Sequence, residues 1–334
     1  MTDVRSTPLD PELDYGAELR ALREAAAVVD QASAGRLFIS GADALDLLNR
    51  LTTNNLEDLP SGIATSTVIT NGDARVVDLV ALGALDDGLW CLTSPGYAQT
   101  VVDWLDLYTF AEEIAVDDRT ESVFQLTLVG PSAATVLARI GVGATLAPEE
   151  LVRTSVGDAS VVLWRRMAGG ADGYELIGEV AGRDAVLAAL VRAGAVRVSA
   201  DAWEGYRITN GMPAIDAEFG LFNNPLEARL LGAISETKGC YTGQEVIARL
   251  QTYAKVQRWL MAVELYAPVA VGTTLEADGK RVGEITSVVA TDAGASGLAL
   301  VASKAAYAGA SLTAGGAYAV LREPAYALAT EPRE

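Results

Sequence analysis

The sequence predicts an α+β fold made of two related α+β units followed by a C-terminal β-barrel. Three observations carry that prediction. Helical patterns alternate with β-hairpin patterns rather than with single buried strands, which favours antiparallel layers over a doubly wound sheet. A strand–glycine–helix unit recurs: Gly41, Ala44 and Leu48 share the spacing of Gly130, Ala133 and Leu137. After Lys255 the texture changes to short β-rich runs separated by Gly-rich turns, the pattern of a small barrel.

In chain order, residues 1–14 read as a loose arm. It has no apolar core region and no Arg-rich amphipathic pattern, so neither a signal nor a transit peptide is expected. Residues 15–29 read as a helix with Leu19, Leu22 and Ala26 on one face. Residues 36–40 form a strand, and a helix follows through Leu45, Leu47, Leu48 and Leu51. Two β-rich runs, 63–70 and 74–82, flank Asn71-Gly72-Asp73, a strong hairpin turn. A strand at 88–93 and a helix at 97–108 close the first unit. The second unit reads as a strand at 124–129, a helix through Ala133 and Leu137, strands at 160–166 and 173–178, and helices at 183–193 and 201–210. Residues 211–237 form a long irregular crossing with Pro213, Asn223-Asn224-Pro225 and Gly232. Such segments in compact domains are usually either functional or contain elements that the pattern does not reveal. Barrel strands are expected near 256–265, 281–289, 297–302 and 318–322. The division is therefore 1–120, 121–255 and 256–334, with the first two units free to exchange segments.

Composition removes several function classes. With 25 basic and 44 acidic residues the net charge is −19, which disfavours binding to nucleic acid or to an anionic membrane. No run of about 18 apolar residues is free of charge or Gly/Pro, so no membrane span is expected. There is no histidine, which excludes a Ser-His-Asp triad, a Cys-His pair and a histidine metal site. No metal site is expected. The two cysteines, Cys91 and Cys240, cannot supply the four thiolates usual for an iron–sulfur cluster. Cys91 lies in the apolar run Leu89-Trp90-Cys91-Leu92, a buried strand, so it is not expected to pair with Cys240. Sparse cysteines fit a reducing cytosol.

The densest concentration of chemistry is residues 238–249, Lys-Gly-Cys-Tyr-Thr-Gly-Gln-Glu-Val-Ile-Ala-Arg. Thr242 and Glu245 stand in the relation of a capping box, and Val246, Ile247 and Leu250 provide an apolar helix face. Cys240 would thus precede a helix N-terminus with Lys238 two residues away. Both influences ease thiolate formation. A lone cysteine is more often a small buried apolar residue, but Lys, Tyr, Gln and Glu crowded around this thiol do not describe a core.

Lys238 to Arg249 resembles the signature of the YgfZ family, folate-binding proteins related in fold to the aminomethyltransferase of the glycine cleavage system. The resemblance is strongest at 35–82 and 200–260. It implies two ferredoxin-like α+β domains around a central folate channel, a C-terminal β-barrel, tetrahydrofolate or another reduced folate as cofactor, and iron–sulfur client or assembly proteins as partners. It casts Cys240 and Lys238 as the functional pair, supported by Tyr241, Gln244, Glu245 and Arg249.

A folate site needs a carboxylate for the pterin edge, aromatic or apolar walls and a cation for the glutamate tail. The segment Asp172-Gly-Tyr-Glu-Leu176 is similar to one whose glutamate holds the pterin in the aminomethyltransferases. It nominates Glu175, which strand alternation turns away from Tyr174 and Leu176. The segment Ala202-Trp-Glu-Gly-Tyr-Arg207 nominates Trp203 and Arg207, four apart on one helix face, where the guanidinium can also stack on the indole. Read by residue type alone, Glu175 is open to being a solvated strand residue, Trp203 core and Arg207 a surface cation. The segment Arg75-Val-Val-Asp78 matches a place where the transferases carry two adjacent aspartates; only Asp78 is present here. Ala34-Gly35 stands where YgfZ-type relatives can carry a folate-stacking tryptophan. The resulting expectation is a tetrahydrofolate-binding accessory protein for iron–sulfur enzymes. The alternative is a folate-dependent aminomethyltransferase or other one-carbon transferase.

Overall fold

A computed structural model describes residues 14–330 except 144, 254, 292 and 293. The arm expected over residues 1–14 therefore lies, but for Asp14, outside the described residues. Helix α1 (Tyr15–Glu24) is capped by the Asp14 carboxylate on the amide of Gly16. It is shorter than the expected 15–29. The chain breaks at Ala25, and Ala27–Asp30 forms strand β1. Val28 and Val29 are β-branched, and β1 gains two neighbours, one parallel and one antiparallel, that a longer helix would forfeit.

The first sheet comprises β2 (Ala34–Ser40), β3 (Ala64–Thr70), β4 (Val76–Leu85), β5 (Gly88–Pro95) and β6 (Ala115–Asp118), ordered β3-β4-β5-β2-β6 and antiparallel throughout. Helices α2 (Ala44–Leu51) and α3 (Ala98–Tyr108) cover one face, burying Leu47, Leu48, Leu51, Val101 and Leu105 against Leu37, Ile39, Leu82 and Cys91. The hairpin at Asn71-Gly72-Asp73 forms where its turn residues place it. The Asn71 side chain accepts from the amides of Asp73 and Arg75.

The second sheet comprises β7 (Val123–Val129), β8 (Leu151–Val156), β9 (Ala159–Ala168), β10 (Ala171–Glu179) and the short β11 (Val196–Arg197), with β1 inserted from the N-terminal side. Its order is β11-β1-β7-β10-β9-β8. Helices α4 (Ala133–Arg139) and α5 (Arg183–Arg192) cover its outer face. The short strands β1, β6, β8 and β11 were not expected. The repeat is structural as well as sequential. Gly41 and Gly130 have φ of 118° and 105°, and a Cβ on either would collide with a carbonyl, Glu113 O or Ala25 O, that accepts a backbone amide at the start of the following helix.

The two sheets face each other. Phe38, Ala81, Trp90 and Leu92 of the first pack on Val123, Leu151, Val162, Trp164 and Ile177 of the second. Helix α6 (Ala200–Thr209) then leads into the crossing, where the only regular element among the described residues before 244 is a turn of 3-10 helix at Leu231–Ala233. Helix α7 (Gln244–Thr252) precedes a closed antiparallel barrel of β12 (Arg258–Leu265), β13 (Thr274–Ala277), β14 (Lys280–Thr291), β15 (Gly294–Ala302), β16 (Ser311–Ala314) and β17 (Ala317–Arg322). The barrel's outer residues Leu260, Leu298 and Leu300 pack on Ile208 of α6, so it is docked rather than tethered. Strands β13 and β16, four residues each, escape sequence reading. So does α8 (Ala325–Thr330), which leaves the barrel and buries Tyr326 against the crossing residues Phe219, Leu230 and Ala233.

Candidate functional site

A cavity of about 330 Å3 opens where the packed layer between the two sheets ends. The first sheet contributes Leu79, Leu92, Thr93, Ser94 and Pro95. The second contributes Val29, Gln125, Arg166 and Glu175. Helix α6 and the crossing close it with Trp203, Glu204, Arg207, Met212, Ala214 and Phe219. Its size and mixed lining are those of a small-molecule site.

Glu175 is 2% exposed. Its Oε2 accepts from Thr127 Oγ1 at 2.7 Å and Gln125 Nε2 at 3.1 Å, and its Oε1 is 3.5 Å from Arg166 Nη1. Thr127 and Trp164 are its direct cross-strand partners; Gln125 and Arg166 are the diagonal neighbours on the same face. The guanidinium of Arg166 stands 5.5 Å from the Trp164 ring. Two buried polar atoms of this cluster, Gln125 Oε1 and Arg166 Nε, have no protein partner. A buried acceptor and a buried donor without partners beside a carboxylate, on residues that line the cavity, make this end of it a candidate polar subsite. Gln125 and Arg166 were missed by sequence reasoning.

Trp203 lines the cavity but does not stack with Arg207. Its ring lies 5.8 Å from that of Tyr206. Gly169 is pressed against the indole, where a Cβ would come within 2.6 Å of it. The Arg207 guanidinium goes instead to carboxylates. Nε bonds Glu204 Oε2 at 2.7 Å and Nη2 bonds Glu204 Oε1. Nη1 donates to Glu218 Oε2 and to Met212 O, each at 3.1 Å, and Nη2 to Ser287 Oγ at 3.0 Å. A carboxylate attracts a guanidinium more strongly than an indole face does.

Asp78 is buried behind the cavity wall rather than on it. Its Oδ1 accepts from Leu79 N at 2.8 Å and its Oδ2 from Ser94 N at 3.0 Å. The side chain bridges β4 and β5 just past the last rung of their ladder, Ala81 opposite Leu92. Burial pushes its pKa up to about 7, against the lowering effect of the Ser94 hydroxyl and of the Ser94 and Leu79 amides. Neither neighbour of Asp78 is a second aspartate: Val77 is packed in the core under α2 and α3, and Leu79 lines the cavity. At Gly35 a Cβ would meet Thr93 Oγ1 at 2.3 Å, so this backbone has no room for a side chain there, whereas Ala34 lines the cavity.

The Lys238–Arg249 stretch lies elsewhere. None of Lys238, Cys240, Tyr241, Gln244, Glu245 or Arg249 lines the cavity. The capping box does not form. Gly243, with φ of 86°, is the N-cap of α7, and Thr242 turns its amide and hydroxyl toward Arg50 O. Cys240 is exposed and stands four residues before the helix. The Lys238 ammonium is buried and donates to Asn49 O, Thr52 O and Asn54 O at 2.6, 2.8 and 2.6 Å. It thereby holds the carbonyls at and beyond the C-terminus of α2. Burial lowers its pKa to about 8. Tyr241 packs beneath it with the ring centroid at 5.2 Å, and burial raises the phenol to about 12. Val246, Ile247 and Leu250 do pack as one face, against Ala74, Leu226 and Val256. Glu245 and Arg249 are exposed. Cys91 is buried and unpaired, apart from Cys240.

Two facing sheets with a cavity of mixed lining at the end of their shared layer, closed by a helix and joined by a docked barrel, define a two-sheet α+β protein with a candidate small-molecule site. Sequence comparison gives the class its family. The chain belongs to the family described as GCVT N-terminal domain, which matches residues 12–238, and residues 258–328 match the CAF17 C-terminal beta-barrel domain. The chloroplastic Arabidopsis thaliana protein At1g60990, whose name is that of a transferase, is 31% identical over 89% of this chain and 70% of its own length. An aminomethyltransferase of Symbiobacterium thermophilum is 28% identical over 81% of this chain and 76% of its own. The crystal structure of the glycine cleavage system aminomethyltransferase T from Bartonella henselae shares the fold. Its TM-score is 0.84 at 19% identity, covering 95% of this chain and 90% of that one. No helix among the described residues is long and apolar enough to cross a membrane.

Proposed function

We propose that this protein binds tetrahydrofolate or another reduced folate between its two sheets, and that it serves the assembly or maintenance of iron–sulfur enzymes through Cys240. The folate reading rests on the open polar atoms around Glu175. A reduced pterin presents N–H donors along one edge and a ring carbonyl beside them. The Glu175 carboxylate and Gln125 Oε1 are acceptors for such donors, and Arg166 Nε is a donor for the carbonyl. Leu79, Leu92, Trp203 and Phe219 offer apolar and aromatic walls for the rings. When bound, a reduced folate could carry a one-carbon unit on its N5 ring nitrogen, its N10 linker nitrogen or both. The chain's own residues bind and orient it and keep water from the pterin edge.

Two observations favour an accessory role over aminomethyl or other one-carbon transfer. Asp78 has both oxygens engaged by backbone amides and does not line the cavity, and its neighbours Val77 and Leu79 are both apolar. Cys240 is exposed and is not among the residues lining the cavity, so it is open to a protein partner. The iron–sulfur link comes from the resemblance of residues 238–249 to the YgfZ signature, with support from the barrel's match to the CAF17 domain. Two cysteines are too few for four-thiolate ligation, so the cluster would be another protein's. The setting we propose is the cytosol, where free thiols persist.

The test has two parts. Anaerobic titration with tetrahydrofolate should quench tryptophan fluorescence saturably, and Trp203→Ala should diminish the quench. In a strain lacking this protein, the wild-type chain should restore iron–sulfur enzyme activity and Cys240→Ala should not. Absence of saturable binding rejects the folate reading. Full restoration by Cys240→Ala rejects the role of the thiol.

A further inference from the structure

Arg207 has five N–H donors, and all five are engaged. They divide into two sides of different character. The inner side is fixed. Glu218 is 0% exposed, takes Nη1 and the amide of Ala214 on Oε2, and accepts from Ser287 Oγ at 2.6 Å on Oε1. Ser287 lies at a bulge in β14, so the barrel itself braces this side. The outer side, Nε and Nη2, is held bidentately by Glu204, whose side chain is 53% exposed. Glu204 and Arg207 both line the cavity.

A bidentate carboxylate on the Nε–Nη2 edge of an arginine is the arrangement an incoming ligand carboxylate would itself adopt. Arg166, the other cation on the cavity wall, stands against Glu175 at the end proposed for the pterin. Arg207 is therefore the cation left for an acidic tail, and it is already occupied by an internal carboxylate. We infer that Glu204 is a displaceable occupant of the subsite for the ligand's glutamate tail, and that it sets how strongly this protein depends on that tail. Its exposure lets it swing into solvent. The buried Glu218–Ser287 pair keeps the guanidinium in place when it does. An exchange of one carboxylate for another makes little net gain, so the tail adds little affinity while Glu204 is present.

This inference rests on the folate reading, and the experiment separates the two. Binding of tetrahydrofolate and of 6-methyltetrahydropterin, which has the ring but no tail, is measured by anaerobic calorimetry on the wild-type chain, Glu204→Ala and Glu204→Gln. Removal of an exposed competing ion pair and of its like charge should tighten tetrahydrofolate roughly threefold to fivefold in Glu204→Ala. Glu204→Gln should give a smaller gain, and 6-methyltetrahydropterin should change less than about twofold. Equal tightening of both ligands, or no change in either, overturns the inference and leaves the folate reading standing. Absence of binding by both ligands to all three proteins overturns the folate reading and the inference with it.

Discussion

Replacing Lys238 with methionine keeps the length and apolar stem of the side chain and removes the ammonium. In the wild-type fold that ammonium makes three hydrogen bonds to the carbonyls of Asn49, Thr52 and Asn54. Hydrogen bonds from a charged group contribute about 1.5–3 kcal/mol each, so the gross loss is roughly 4.5–9 kcal/mol. Keeping the charge buried is costly. A fall in pKa from 10.5 to about 8 corresponds to about 3 kcal/mol at 1.36 kcal/mol per unit. The lost carbonyls also differ. Thr52 is fully buried, whereas Asn49 and Asn54 are partly exposed and water can reach them. The net destabilisation is then about 2–4 kcal/mol, most of it from the orphaned Thr52 carbonyl and the lost anchoring of α2. Urea unfolding followed by tryptophan fluorescence measures it, since Trp90 lies in β5 of the sheet that α2 covers. A loss under about 0.5 kcal/mol would refute the view that Lys238 is a helix anchor. In the folded protein, alkylation of Cys240 should proceed at the wild-type rate in this variant, because the ammonium is directed to carbonyls.

Asp78→Asn should change how stability depends on pH. The folded-state pKa, about 7, lies above the ordinary value, so the fold holds the proton more tightly than the unfolded chain does. The contribution is full below about pH 4 and is lost as pH rises through 7. The asparagine variant should therefore gain stability relative to wild type by a few kcal/mol between pH 4 and pH 8. Equal urea midpoint differences at the two pH values would contradict this. Ser287→Ala should loosen Arg207 and destabilise the contact between barrel and α6 by about 1–3 kcal/mol, because Glu218 is left buried with one partner fewer; thermal unfolding reads the effect. Cys240→Ala should leave the unfolding midpoint within about 0.5 kcal/mol of wild type, as expected for an exposed side chain.

Much of the fold was legible because its signals are local. Asn71-Gly72-Asp73 specifies its turn through its own side chain, and Gly41 and Gly130 mark matching strand-to-helix corners. Strand β1 was not legible. Its four residues continue a helical pattern, and only pairing with β7 and β11, about a hundred and more residues away, makes them a strand. The site divides in the same way. Glu175 could be nominated from alternation in its own strand together with the family resemblance. Gln125 and Arg166 could not, since each is one polar residue in a strand until the sheet sets it diagonally beside Glu175. Lys238 misled for the same reason. Proximity in sequence pointed to Cys240, whereas its partners lie 184 to 189 residues away.

The central claim is that the cluster around Glu175 holds a reduced folate. Anaerobic calorimetry of tetrahydrofolate on the wild-type chain and on Glu175→Gln tests it most directly. The substitution preserves shape, and it replaces a charged acceptor with a neutral one that also presents a donor to the pterin edge. Saturable binding should appear with the wild-type chain and weaken roughly 10-fold to 100-fold in the variant, the loss of one charge-assisted hydrogen bond. No saturable binding up to millimolar ligand, or equal affinity in the two proteins, would contradict the account.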